Sequence, residues 1–220
     1  MTKEINIFFS LLLGTILLSL FSNASAMPTL TEKVLKGYEL AQDWDLNSAE
    51  KISNSLIKDH PKSGDAHFLN ARIEFLKGNY ERSWRVLERV GDSYEEVSEF
   101  KKRVESTRKA TQNFVTRETA HFRFRYKEGP DEVLLTYAEE VLEKSYLVLG
   151  EILDHYPQEK VLIEFYPDRQ PFSKISPLTL QDILTSGTVA LCKYNRIMMI
   201  SPGSLVRGFN WMDTLSHEYV

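Results

Sequence analysis

A single cysteine, Cys192, occurs in the 220 residues. One thiol excludes an internal disulfide and any zinc site built from cysteines. Its expected role is that of a small apolar packing residue. An excess of positive charge is also lacking: 27 Lys and Arg stand against 31 Asp and Glu, a net charge of −4. The basic residues are interleaved with acids, so no concentrated basic face is available to grip nucleic acid. After the N-terminal segment, no apolar run approaches the roughly 20 residues that cross a bilayer. What remains is the composition of a folded globular chain, 42% hydrophobic and 26% charged, long enough for one large domain or two modest ones.

The first 26 residues stand apart. Lys3 precedes an apolar run from Ile5 to Phe21, and Ala24-Ser25-Ala26 follows with the small-x-small pattern of a cleavage site. This is the layout of a secretory signal peptide cleaved after Ala26, which implies an exported chain, periplasmic or secreted. The alternative is an uncleaved membrane anchor, for which the run is short. With the signal removed, no membrane span is expected.

The next stretch repeats itself. Gly37 and Ala71, Ala49 and Ser83, and Leu56 and Val90 are each 34 positions apart. Small residues at such positions let paired helices approach closely. Pro61 falls where a second helix would end, and Lys77-Gly78-Asn79 reads as a turn before a helix starting at Tyr80. Trp44 stands where the first unit would have its turn glycine. From Thr29 to about Val97 the chain resembles the tetratricopeptide repeat family, and a helical region over 29–115 follows from that resemblance. Two units make a thin solenoid, so a helix over Tyr94 to Phe114 is expected to cap the second, with Glu95, Glu96, Glu99, Lys101, Lys102, Arg103 and Glu105 on a solvated face. Trp44, Tyr80 and Trp84 are expected in the repeat core.

Beyond Val115 the periodicity changes. Ala120 to Tyr126 alternates with period two and reads as a half-buried strand. Gly129-Pro130-Asp131-Glu132 opens a helix that runs to about His155, with Leu134, Val141, Leu142, Tyr146 and Leu149 on its buried side. Val161 to Tyr166 is a second strand, and Ser176 to Gly187 a short helix with turns. Thr188 to Tyr194 and Ile197 to Ser201 form a hairpin with Asn195-Arg196 as its turn. Trp211 to Val220 starts a new helix. The order predicts an α+β fold, with helices packed on a mixed sheet.

The chain's last residues include His217-Glu218. A histidine four positions after His217 would complete H-E-x-x-H, the spacing that puts two imidazoles on one helix face, one turn apart. In that motif the glutamate is the general base and not a ligand. Trp211, Leu215 and Tyr219 form an apolar stripe at i, i+4 and i+8 that would dock the helix. The other reading is a surface histidine beside an ordinary helical acid. His60 is expected in a turn, His67 at the surface or in a groove, His121 on a strand and His155 at a helix end, none of them a metal ligand.

From about Glu118 onward the chain resembles the peptidase MA-like family of gluzincin metallopeptidases. The resemblance rests on Glu118-Thr119-Ala120-His121-Phe122, on Ile200-Ser201-Pro202, and above all on the run from Trp211 to Val220. It implies an incomplete zincin-like domain over 118–220, with His217 a Zn2+ ligand and Glu218 the general base. It also implies a second histidine as the residue after Val220 and a glutamate ligand further on, so that this chain would be an inactive fragment of a peptidase. The expected partners are a peptide or protein substrate and a protein bound in the groove of the repeats. The alternative is an exported tetratricopeptide scaffold whose peptidase-like domain is catalytically idle.

Overall fold

The computed structural model describes residues 28–91 and 95–220. The signal peptide expected over 1–26, and Tyr94, lie outside the described residues. Four helices come first: α1 (Leu30–Gln42), α2 (Leu46–Asp59), α3 (Gly64–Leu76) and α4 (Tyr80–Leu87). Each helix of the second pair begins 34 residues after its counterpart in the first (64 − 30 and 80 − 46). Side-chain caps mark the starts: Thr29 and Glu32 form a capping box on α1, Asp45 caps α2 and Ser63 caps α3. Each satisfies an N–H that the first helical turn leaves open.

The close approach expected at the small residues is present. A Cβ on Gly37 would lie 2.5 Å from Leu69 Cδ2, Ala49 and Ala71 are fully buried, and the Ser83 hydroxyl donates to the Ala71 carbonyl at 2.7 Å. The two turns are also equivalent. Gly78 has φ +79° and Trp44, 34 positions earlier, has φ 68°. The backbone needs the left-handed region at both places, and only one has the residue that adopts it freely.

α5 (Glu95–Thr111) packs on α4 and on α7 (Arg169–Ile175). It ends before Phe114, which opens β1 (Phe114–Glu118) instead of closing the helix as expected. β1 is a half-exposed edge strand carrying charges, so its five residues lack the clean alternation that would mark them. β2 (Phe122–Lys127) follows across a short turn, and then α6 (Glu132–Leu153) and β3 (Val161–Tyr166). The buried side of α6 is Leu135, Ala138, Leu142 and Gly150; Leu134, Val141, Tyr146 and Leu149 are only half-buried. α7 was not anticipated. Its Pro171 sits in the first turn, where a missing N–H costs nothing, and Asp168 caps the Gln170 N–H. α8 (Leu180–Ser186) carries a Thr179–Asp182 capping box and ends at Gly187 in the left-handed region.

β4 (Ala190–Lys193) and β5 (Arg196–Ile200) make the hairpin, but one residue out of the expected register. The turn is Tyr194-Asn195, with φ 58° and 57°. Two consecutive left-handed residues are the mark of the type I′ turn that matches strand twist. Arg196 therefore belongs to the sheet. After a 3-10 turn at Pro202–Ser204, α9 (Trp211–Tyr219) ends the described chain.

The fold is α+β, with a five-stranded mixed sheet in the order β1-β2-β3-β5-β4. β2, β3 and β5 run parallel, and the two edge strands, β1 and β4, run antiparallel to their neighbours. Phe122, Phe124, Ile163, Phe165, Ile197 and Met199 face α6 and α9, with Leu142 and Leu215 fully buried among them. Alternate residues, Tyr166, Met198 and Ile200, face the helices, against Phe75, Tyr80, Val104 and Phe172. The second helical pair and the sheet thus share one apolar cluster. Among the described residues no helix is long and apolar enough to cross a membrane.

Candidate functional site

The apolar stripe of α9 docks as expected. Leu215 is fully buried, Trp211 and Tyr219 pack against the same cluster, and the Tyr219 ring meets Phe122 edge-on at 5.3 Å. Helical periodicity turns His217 away from that stripe, and it is exposed, with its ring hydrogen-bonded to nothing among the described residues. Glu218 is half-buried. Burial, and after it the charge of the Glu218 carboxylate, pushes the Cys192 thiol up to about 11.

α9 packs on β4 and β5. β4 is an edge strand. In a two-residue hairpin the flanking pair, here Lys193 and Arg196, exchanges hydrogen bonds, and so does every second pair beyond it. The Val189 carbonyl accepting from the Ile200 N–H at 2.8 Å fits that alternation. Cys192 and Ala190 consequently aim their N–H and C=O groups at the free edge. Cys192 thus offers backbone groups to a strand-like ligand while its side chain packs against the cluster that holds Leu215.

An imidazole is a donor that zinc accepts, but a catalytic zinc takes three protein ligands and His217 is one. Among the described residues no three His, Cys, Asp or Glu side chains come together to hold a metal.

A raised thiol pKa has a direct consequence. From an ordinary value of 9.0 to about 11, the thiolate fraction at pH 8 drops roughly a hundredfold. Iodoacetamide should label Cys192 in the folded chain at about a hundredth of its rate in urea, and the folded-state rate should climb up to pH 11 instead of levelling near 9. Equal rates in the two states would show that the thiol is not buried.

The other histidines do not join His217. His60 caps α2, as its turn placement suggested. His67, expected at the surface or in a groove, is buried, and its Nε2 lies 2.9 Å from the Pro61 carbonyl. His121 precedes β2; its Nδ1 is 2.6 Å from Glu143 Oε2, and its ring stacks on Tyr146 at 3.6 Å. Thr119 Oγ1 donates to the other Glu143 oxygen at 2.6 Å. These contacts clasp the β1–β2 turn to α6. Burial tends to raise the Glu143 pKa, but the hydrogen bonds from His121 and Thr119 together hold it below the usual value.

A buried polar centre on the opposite face went unanticipated. Glu164 is fully buried and accepts from the Tyr80 hydroxyl at 2.8 Å, the Tyr166 hydroxyl at 2.7 Å and Arg125 Nη1 at 3.0 Å, with Arg196 Nη1 at 3.4 Å. Arg196 also donates to the Tyr80 hydroxyl, while its Nε has no partner among the described residues. Burial opposes the Arg196 charge, but Tyr80 and Glu164 outweigh it and hold its pKa above the ordinary arginine value. Burial also raises both tyrosines, so they remain neutral donors. One signal was available in Val161-Leu162-Ile163-Glu164-Phe165-Tyr166: a carboxylate inside a strand that is apolar on both faces requires buried partners. Tyr80 is buried among Phe68, Ala71, Phe75 and Leu87 of the second helical pair, as expected, and its hydroxyl also joins that pair to the sheet.

In comparisons with known proteins, no family model, no curated protein and no solved structure matches this chain.

Proposed function

We propose that the chain is part of an exported zinc metallopeptidase of the gluzincin type, which hydrolyses peptide bonds, and that its paired helices bind protein. The observation that carries this reading is the position of Cys192. Its backbone faces the open edge of β4, the strand on which α9 packs, and the Glu218 charge adds to burial in raising its thiol pKa, so a peptide paired with that edge lies near the glutamate. Edge pairing secures the substrate backbone without regard to its sequence. His217 is the zinc ligand from this chain. Glu218 accepts a proton from the attacking water at its carboxylate, a role suited to a group that is half-buried and makes no salt bridge among the described residues. Bound zinc supplies a Lewis acid and lowers the pKa of its water to about 7.

The test uses the protein carrying whatever residues follow Val220. It should hydrolyse an unfolded protein such as casein, lose that activity to a chelator and regain it with Zn2+. A preparation that holds no zinc at neutral pH would overturn the reading.

A scaffold reading has its own observation. Val34, Leu35, Tyr38, Phe68, Arg72 and Val97 line an open cavity of about 460 Å3 between α1, α3 and α5. In that reading the groove binds an envelope protein's peptide and the α9 region is idle.

A further inference from the structure

α6 is a helix of 22 residues that packs on β2 and α9. Its outer side is exposed, yet Val133, Tyr137, Leu147, Val148, Ile152 and Leu153 all lie open there. A surface helix normally keeps that side charged and polar. Single exposed apolar residues need no explanation, but a set gathered on one element marks an interaction surface. Val133, Tyr137, Glu140, Lys144, Val148 and Ile152 follow one another at spacings of three or four, so they share a face. Glu140 and Lys144 are exposed, and neither makes an ion pair or hydrogen bond among the described residues.

This face reads alike from either end. Val133 and Ile152 are equally far along the helix from a point between Leu142 and Glu143, and so are Tyr137 and Val148. Glu140 and Lys144 bracket Leu142. A two-fold axis brings one patch against itself, so that residue i meets j and j meets i. With an axis near Leu142 and the helices antiparallel, apolar residues meet at both ends. In the middle each glutamate meets a lysine. Parallel helices would instead set Glu140 against Glu140 and Lys144 against Lys144, which repel.

We infer that the outer face of α6 binds a second copy of this chain, with the two helices antiparallel about an axis near Leu142. Tyr137 of each copy packs on the partner's Val148, and Glu140 pairs with the partner's Lys144. The charge order selects this occupant, because the face is complementary to itself.

The experiment is sedimentation equilibrium of the purified chain from 1 to about 300 μM. A dimer is expected with a Kd on the order of 10 μM, since a single helix pair lies at the small end of stable interfaces. Val148→Glu is an exposed change that should keep the fold, checked by circular dichroism, and should weaken the dimer at least about tenfold. Glu140→Lys should weaken it about tenfold as well, by opposing lysine to lysine. Glu140→Lys combined with Lys144→Glu restores the complement and should return the Kd to within about threefold of the parent. A monomer at every concentration overturns the proposal and leaves the face to another segment or partner. A dimer indifferent to Val148→Glu forms elsewhere and also overturns it. If Val148→Glu breaks the dimer but the charge exchange fails to restore Glu140→Lys, the antiparallel arrangement is wrong.

Discussion

Arg196→Met should destabilise the fold by about 3–5 kcal/mol, the cost of leaving a buried carboxylate without its charge partner. Glu164 has no exposed surface and Arg196 almost none, so water cannot replace the lost guanidinium. Arg125 remains, but its side chain is 19% exposed and reaches one oxygen of Glu164. The hydroxyls of Tyr80 and Tyr166 cannot supply charge. Against a total stability of about 5–15 kcal/mol for a domain, the loss is large. In urea the unfolding midpoint should fall with little change in slope. Glu164→Leu combined with Arg196→Met should lose less than Arg196→Met alone, since two apolar groups need no partners. A loss under about 1 kcal/mol for the single variant would mean that the network contributes nothing to the junction of helices and sheet.

Glu218→Gln should lower kcat by at least about a hundredfold in protein carrying a full zinc ligand set, with zinc stoichiometry unchanged. The amide keeps the size and shape of the carboxylate but takes no proton from water. Glu218 makes no hydrogen bond or ion pair among the described residues, so the fold should not register the change. Leu215, Trp211 and Tyr219 hold α9 in place independently of it. The amide also removes a charge beside Cys192, so the thiol should titrate lower than in the parent, a readout that needs no turnover. Loss of zinc would reassign Glu218 as a ligand, and full retention of the rate would remove it from the chemistry.

The two variants differ in what could be foreseen. His217 and Glu218 lie within one helical turn, and their relation to the docking stripe follows from 3.6-residue periodicity alone. Glu164, Arg125, Arg196 and Tyr80 come from three strands and a helix, and no window of sequence contains them. The hairpin illustrates the boundary between the two cases. Its two strands were legible, but the turn lacks glycine and was placed one residue late. A one-residue slip moves every side chain to the other face, which obscured Arg196 as a member of the helix-facing set. β1 was hidden for another reason: an exposed, charged edge strand has little burial to imprint on its sequence.

The sequence by itself determined the paired helices with their 34-residue spacing, β2 and β3, and the amphipathic helix bearing His217 and Glu218. Each is a local pattern of apolar residues and caps, written within one or two turns of chain. Only the tertiary structure decided that β4 is an edge, that α9 packs on it, that Trp44 meets Tyr194, and that Tyr80 bonds Glu164 from 84 positions away. Those contacts depend on which strands pair and which faces are buried together. Side-chain periodicity states that a face is apolar; it does not state which other face covers it.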